Sequence, residues 1–221
     1  MSETILILGE SGTGKSCSMR TLPPQETFII NVNNKSLPFK GYKKEYVQGE
    51  NGAGNYISTD DPSKIIRILK YLDANRPDIH NIILDDFGYT FINAYMRRAK
   101  ERSYDKFSDI GSDAWHIFHT IKNLRNDLFV FVMMHTEIDN HGRYKPKTVG
   151  KMMDSNNVIE GTFDYVLHAL IIDGEYKFLT NNDGIHMAHT AMGMFPEMHI
   201  DNDLFHVKHC IEQYFNDDEE E

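Results

Sequence analysis

Residues 9–16 of the chain, GESGTGKS, place three glycines at fixed spacing ahead of a lysine and a serine. An apolar run, residues 4–8 (TILIL), comes directly before them, and no proline follows until Pro23. A short apolar run without alternation is typical of a parallel strand that is covered on both faces. Glycines let the next segment curl so that several backbone N–H groups point inward. The pattern therefore predicts a strand, a tight loop and a helix that begins near Gly14.

The octapeptide matches the P-loop pattern G-x-x-x-x-G-K-[ST] at every fixed position. Inward-pointing N–H groups and the positive end of the following helix suit the oxygens of a phosphate chain. Lys15 would place an ammonium group against the β- and γ-phosphates, and Ser16 would offer a hydroxyl to Mg²⁺. We therefore expect ATP and Mg²⁺ as cofactors. The residues expected around the nucleotide are Gly9, Ser11, Gly12, Thr13, Gly14, Lys15, Ser16 and Cys17.

Further apolar runs recur along the chain, and helical patterns separate them. These runs cover residues 27–32, 81–85 and 128–135. Alternating strands and helices predict a mostly parallel sheet with helices on its faces, as in an α/β protein of the RecA-like P-loop kind. An Asp-Gly turn within residues 165–179 predicts an antiparallel hairpin at one edge. We expect one domain over residues 1–215 and an acidic, disordered tail over residues 216–221.

Two carboxylates and a histidine end two of these runs. Residues 81–86 (NIILDD) close on Asp85 and Asp86, and residues 128–135 (LFVFVMMH) close on His135. The carboxyl ends of parallel strands meet at one edge of a sheet, so we expect these side chains beside the P-loop. Asp85 would hold Mg²⁺ together with the loop serine. Asp86 would act as a general base on the attacking water, and His135 would sense the γ-phosphate. Each of them could instead simply terminate a strand.

Composition and cysteine usage exclude several classes of protein. The hydrophobic fraction of 40% and the charged fraction of 25% are those of ordinary soluble proteins, and no apolar run is long enough to span a bilayer. The first residues, MSETILILGE, lack the basic segment and cleavage site of a signal peptide. Cys17 and Cys210 are too few for a disulfide framework or a zinc site, which favours a reducing cytoplasm.

The net charge of −10 argues against a broad nucleic-acid-binding surface, but basic residues cluster locally. One cluster lies among aromatic residues, and a second lies in the polar loop after His135. The candidate contacts are Arg97, Arg98, Lys100 and Arg102 in the first cluster and Lys145 and Lys147 in the second. Cations follow phosphates and aromatic rings stack on unpaired bases, so both clusters suit single-stranded DNA. Alternatively, they are a solvated helix face with internal charge pairs and an ordinary basic loop.

With these motifs in this order, the chain resembles RecA-like phage recombination ATPases, small single-strand-annealing relatives of RecA, and more broadly the phage nucleotide-binding proteins of the P-loop class. The resemblance covers residues 5–215 and rests on GESGTGKS, IILDD, VMMHTE, GRYKPKTVGK and FDYVLHALIIDGEYKFLT. It implies a RecA-like core, binding of ATP and Mg²⁺, and action on single-stranded DNA in phage recombination or replication. It also implies a phage single-strand-binding protein as partner and the host cytoplasm as location. We further expect a homo-oligomer.

The chain departs from this family in two places. Relatives tend to carry an acid near the end of the second strand, where residues 30–34 (INVNN) of this chain hold asparagines. They also tend to carry a Lys or Arg after the hairpin that reaches a neighbour's nucleotide, and residues 181–194 contain neither. Hydrolysis would then depend on Asp86 or be slow, and a cationic finger acting in trans is not visible in that segment.

Two other functions stay open. A nucleotide or small-molecule kinase shares the P-loop, but such enzymes usually need several arginines in a lid, and residues 136–156 hold Arg143 alone. A nucleotide-gated assembly or interaction protein would bind ATP tightly and turn it over little. The asparagines after the second strand favour this second alternative.

Overall fold

The computed structural model describes residues 1–49, 54–149 and 159–216. The strands in these ranges are β1 (Glu3–Gly9), β2 (Thr27–Asn31), β3 (Tyr56–Ser58), β4 (Asn81–Asp85), β5 (Phe129–Ile138), β6 (Tyr144–Pro146), β7 (Tyr165–Ile172), β8 (Glu175–Leu179) and β9 (His199–Asp201). The α-helices are α1 (Tyr42–Glu45), α2 (Pro62–Asn75), α3 (Gly88–Arg97), α4 (Asp105–Lys122) and α5 (Leu204–Asn216). Short 3₁₀ helices cover Ser16–Thr21, Pro24–Glu26 and Ile159–Thr162.

A single sheet runs through the described residues in the order β3-β2-β4-β5-β1-β7-β8-β9. The strands from β3 to β7 pair in parallel, and β8 and β9 add to the β7 side as antiparallel strands. The remaining strand, β6, pairs antiparallel with the end of β5. This arrangement is an α/β P-loop fold with an antiparallel edge, as the alternation of strands and helices and the Asp-Gly turn predict.

Both faces of the sheet are covered, which explains why its central strands are continuous apolar runs in the sequence. In β1, Leu6 and Leu8 belong to a core that includes residues of α2, α3 and α4. On the opposite face, Ile5 and Ile7 belong to a second core, together with Met19 and residues of α5. Successive side chains of a strand point to opposite faces, so residues 5–8 of β1 alternate between the two cores.

The strand β5 lies between the P-loop strand β1 and the strand β4. In the register of these strands Gly9 is opposite His135, and Leu84 is opposite Val132. All three strands are parallel, so their carboxyl ends open onto the same edge of the sheet. The P-loop, Asp85 and His135 therefore meet in the crevice outside this edge, where open α/β sheets place their ligands.

Two segments near this edge differ from the sequence-based expectation. The helix expected from near Gly14 begins later, at Ser16, and is a 3₁₀ helix, Ser16–Thr21, which ends before Pro23 and Pro24 as expected. The polar segment after His135 is not simply a loop, since β5 continues to Ile138 and forms a hairpin with β6. Residues 150–158 of that segment and residues 217–221 of the expected acidic tail lie outside the described residues, and Asn216 ends α5. In the ranges described above, no helix is long and apolar enough to cross a membrane.

Candidate phosphate-binding site

The P-loop curls through two glycines with left-handed backbones, Gly12 with φ 84° and Gly14 with φ 90°. A side chain at Gly14 would also come within 2.9 Å of the Tyr176 ring. A side chain at Gly9, the first residue of the loop, would come within 2.7 Å of the Thr13 hydroxyl. Conformation and space together therefore account for the spacing of the glycines in the sequence motif.

Lys15 lies at the centre of this loop and is 6% exposed. Its Nζ donates to the carbonyl of Gly9 at 2.8 Å and to that of Glu10 at 2.6 Å. Burial lowers the pKa of Lys15 to about 8, although the charges of Asp86 and Asp85 act in the opposite direction. The ammonium group is thus held by loop carbonyls at the point where a phosphate chain would replace them as acceptors.

Ser16 and Asp85, which the sequence assigns to Mg²⁺, are in contact: Ser16 Oγ donates to Asp85 Oδ1 at 2.7 Å. Asp85 is 4% exposed, and burial raises its pKa to about 6. A hydroxyl and a carboxylate are hard oxygen ligands of the kind that Mg²⁺ takes, so the pair fits the ion. The described part of the chain contains no group of three or more His, Cys, Asp and Glu side chains that could hold a metal. Mg²⁺ at this place would therefore take its other ligands from phosphates and water.

Asp86 is the centre of a chain of charged groups, and its own backbone is left-handed with φ 58°. Its Oδ2 accepts hydrogen bonds from Lys35 Nζ at 3.1 Å and Asn33 Nδ2 at 3.4 Å, and its Oδ1 lies 3.3 Å from His135 Nε2. On the other side of the imidazole, His135 Nδ1 lies 3.5 Å from Lys15 Nζ. Burial raises the pKa of Asp86, but the hydrogen bonds from His135 and Lys35 outweigh it and lower the pKa to about 2. Asp86 is thus a firmly ionised carboxylate beside the P-loop lysine.

Sequence reasoning overlooks two residues of this network, Lys35 and Asn33. The signal that could have found them is their position just after β2, which pairs in parallel with β4 and ends at the same edge. The asparagines of this segment attract attention in the sequence only because the resemblance leads us to expect an acid there.

The P-loop forms one wall of a cavity of about 860 Å³, a size typical of small-ligand sites. Predicted nucleotide residues that line it are Ser11, Gly12, Gly14, Lys15, Ser16 and Cys17. From the β2, β4 and β5 side of the sheet come Lys35, Asp85, Asp86 and His135. Gly9 and Thr13 act within the loop, where the Gly9 carbonyl accepts from Lys15 and the Thr13 hydroxyl donates to the Glu10 carbonyl at 2.9 Å.

The opposite end of the cavity is formed by the β8 and β9 side of the sheet, which contributes Tyr176 and Asn202. The Tyr176 ring is half-exposed beside Gly14. Asn202 is 4% exposed, and neither its Oδ1 nor its Nδ2 has a hydrogen-bond partner. Buried amides without a partner are rare in proteins, and one that faces a cavity is satisfied when a ligand binds there.

The predicted DNA contacts of the first basic cluster lie at the end of α3 and just beyond it. Arg97 pairs with Asp60 at 2.7 Å, and Arg98 pairs with Asp109 at 2.8 Å. Lys100 and Arg102 are exposed, with no ion pair to the part of the chain that the structure describes. The two arginines thus pair with acids of other segments, and the i,i+4 pair Arg97–Glu101 of the alternative interpretation is not among these contacts.

The second basic cluster lies beside the phosphate-binding site. Lys145 pairs with Glu137 at 3.1 Å across the β5–β6 hairpin. Lys147 is exposed and lines a second cavity, of about 320 Å³, together with Lys35 and His135. Contact of either basic cluster with DNA stays a prediction.

Comparisons with known proteins give no family for this chain. No family model matches it, and no curated protein matches it. Among the solved structures that it resembles is the genome packaging NTPase B204 from Sulfolobus turreted icosahedral virus 2 in complex with ATP-gammaS. That structure is 12% identical over 76% of this chain and 74% of the other, with a TM-score of 0.41. At this level of similarity, the function of the chain has to be argued from its own site.

Proposed function

We propose that this protein binds ATP with Mg²⁺ and hydrolyses it in the cavity at the P-loop. The observation that carries this proposal is the convergence of Lys15, the Ser16–Asp85 pair and the Asp86–His135 pair on one cavity. The N–H groups of the loop and Lys15 would hold the β- and γ-phosphates. Mg²⁺, held by Ser16 and Asp85, would neutralise charge on the phosphate oxygens.

The two ends of the cavity give the nucleotide a direction. Asp86 and His135 lie on the β4–β5 side, which suits the γ-phosphate, and Tyr176 and Asn202 lie at the other end, which suits the nucleoside. An exposed aromatic ring offers a face on which a base stacks. The Asn202 amide offers one acceptor and two donors to the edge of that base.

Hydrolysis needs a group that orients the attacking water, and Asp86 is the residue in position for it. The water oxygen would bond to the γ-phosphorus as the bond to the bridging oxygen of the β-phosphate breaks, and Asp86 would accept a water proton. His135 contacts both Asp86 and Lys15, so its position would depend on whether a γ-phosphate lies between them.

We also propose that this hydrolysis is coupled to single-stranded DNA, in the phage recombination or replication that the family resemblance implies. The backbone N–H of Lys147 donates to the carbonyl of His135 at 2.8 Å, which ties the basic hairpin to the residue beside the γ-phosphate. A movement of His135 when ATP binds would therefore move the hairpin as well.

ATP turnover with and without a single-stranded oligonucleotide tests the proposal. Lys15→Ala removes the buried ammonium group, and we expect nucleotide affinity to fall about 100-fold or more, roughly 2.7 kcal/mol. Asp86→Asn keeps the shape but removes the base, so we expect binding to persist and turnover to fall about 100-fold. Lys70→Ala, at an exposed lysine of α2, is the matched control and should behave as wild type.

Three outcomes would contradict parts of this proposal. Wild-type affinity in Lys15→Ala would overturn the P-loop assignment, and normal turnover in Asp86→Asn would remove Asp86 from the base role. If the wild-type protein showed no salt-sensitive binding to the oligonucleotide, with or without ATP, the DNA part would fail.

The second candidate is a nucleotide-gated interaction protein with little turnover. The observation that favours it is that both oxygens of Asp86 are engaged, by Lys35 and by His135. Tight ATP binding without turnover, together with oligomers that form when ATP is added, would select this function over an ATPase.

A further inference from the structure

The turn after β2 holds a lysine at the phosphate-binding edge. Asn31, which ends β2 and is 1% exposed, donates from Nδ2 to the backbone carbonyl of Lys35 at 2.6 Å. Asn34, within this turn, has a left-handed backbone with φ 52°. A non-glycine residue in this conformation costs energy and persists only where its surroundings enforce it. Asn31 thus holds the turn that positions Lys35.

The ammonium group of Lys35 lies between the two cavities of the site and lines both of them. Its Nζ contacts Asp86 Oδ2 at 3.1 Å and lies 5.1 Å from the centre of the Tyr89 ring. The Lys35 side chain is 58% exposed, whereas that of Asp86 is 10% exposed. The carboxylate is therefore fixed, and the lysine is free to move away from it.

Two ammonium groups, those of Lys15 and Lys35, line the larger cavity. Asp86 offsets the charge of Lys35. A bound triphosphate carries several negative charges, and its last phosphate would lie on the same side of the P-loop as Asp86. That phosphate would compete with Asp86 for the exposed lysine, since both are anions within reach of one flexible cation.

We propose that Lys35 is a catalytic residue that leaves Asp86 when a nucleoside triphosphate binds and holds the γ-phosphate from within the same chain. This inference rests on the proposed function. It places in cis a cation of the kind that the sequence resemblance leads one to expect from a neighbour, and residues 181–194 of this chain contain no Lys or Arg. It also frees one oxygen of Asp86 for the attacking water when a γ-phosphate is present, while a diphosphate leaves the Lys35–Asp86 pair intact.

The proposal predicts that Lys35 distinguishes ATP from ADP. We expect Lys35→Ala to weaken binding of ATPγS with Mg²⁺ by about tenfold or more and to change ADP binding less than about twofold, since one charged hydrogen bond is lost. Turnover of ATP should fall by about 100-fold or more, because removal of a cation that stabilises the γ-phosphoryl group costs at least that much. Lys35→Arg keeps the charge and should restore most of the preference for ATPγS.

The matched control is Lys40→Ala, an exposed lysine five positions further along that lines neither cavity. Isothermal titration with each nucleotide and thermal unfolding of each variant give the readouts. If Lys35 only supports the local structure, the affinities for ATPγS and ADP will fall by the same factor, or neither will change. Either result overturns the proposal. If Lys35→Ala lowers the unfolding temperature, Lys35→Gln replaces it in the same comparison. Absence of nucleotide binding by the wild type would instead refute the proposed function itself.

Discussion

At the scale of single residues, His168 is a buried group whose protonation state affects stability. It is 1% exposed in β7, its ring lies 4.8 Å from that of His186 and 5.7 Å from that of Tyr144, and its Nδ1 has no partner. Burial lowers the pKa of His168 to about 4. An unfolded histidine binds a proton near pH 6.5, so between these values the unfolded state binds more protons than the folded state at this site.

This difference predicts a loss of stability in acid. The contribution of neutral His168 is fully present above about pH 6.5 and decreases as the pH falls towards 4, by about 1.4 kcal/mol per pH unit and roughly 3 kcal/mol in all. His168→Gln should remove it, so the free energy of unfolding of the variant should fall less than that of the wild type between pH 7.5 and 4.5. Urea denaturation at several pH values measures both curves. His141→Gln, at an exposed histidine, is the control and should follow the wild type.

The opposite result has a clear meaning. Parallel curves for the wild type and His168→Gln would show that His168 has the same pKa in the folded and unfolded states and would overturn the prediction. Other groups titrate in both proteins, so the comparison isolates this histidine even if the substitution lowers stability at every pH.

At the scale of secondary structure, the antiparallel edge β8–β9 has a role in the site as well as in the sheet. It places Tyr176 beside the P-loop, and Asn202 follows directly after β9. In the proposed orientation these residues contact the nucleoside, which ATP and ADP share, whereas Lys35 contacts the γ-phosphate, which only ATP carries.

Tyr176→Ala should therefore weaken the binding of ATP and of ADP by the same factor, about tenfold, because stacking of a base on an aromatic ring contributes about 1–3 kcal/mol. Titration of each nucleotide measures the two factors. Tyr104→Ala, at a ring that is 79% exposed and distant in sequence from the site, is the matched control. Unchanged affinities in Tyr176→Ala would show that the base binds elsewhere. Weaker binding of ATP alone would show that the nucleotide lies in the opposite direction.

At the scale of the whole molecule, charge is distributed unevenly. The net charge is −10, yet Lys100 and Arg102 form an exposed basic patch beyond α3. The double variant Lys100→Ala and Arg102→Ala should weaken single-stranded DNA binding. It should also reduce the slope of log K against log salt by about 1.4, since each lost phosphate contact accounts for about 0.7. Fluorescence anisotropy at several salt concentrations measures this slope.

The control for this prediction removes the same charge elsewhere. Lys43→Ala and Lys44→Ala together neutralise two exposed lysines of α1. If both double variants changed the slope equally, the effect would come from overall charge, and the patch beyond α3 would not be a DNA contact.

Much of the site was accessible from the sequence because its chemistry is local or lies at strand ends. The P-loop residues are contiguous, and the strand-end positions of Asp85, Asp86 and His135 predict the edge at which they meet. Their actual contacts, such as Ser16 with Asp85, agree with that prediction. The end of the helix before Pro23 was accessible because proline acts locally. The extension of β5 was not accessible, since pairing with β6 overrides the local pattern.

The sequence by itself determined a strand, a glycine loop and a helical turn around Lys15, because backbone conformation and glycine spacing are local properties. The tertiary structure alone decided that Lys35, Tyr176 and Asn202 join this site. The three residues lie in segments that are far apart along the chain and carry no motif. The order of strands in the sheet brings them around one cavity. Pairing of β2 with β4 and of β7 with β8 determines which strand ends lie beside the P-loop.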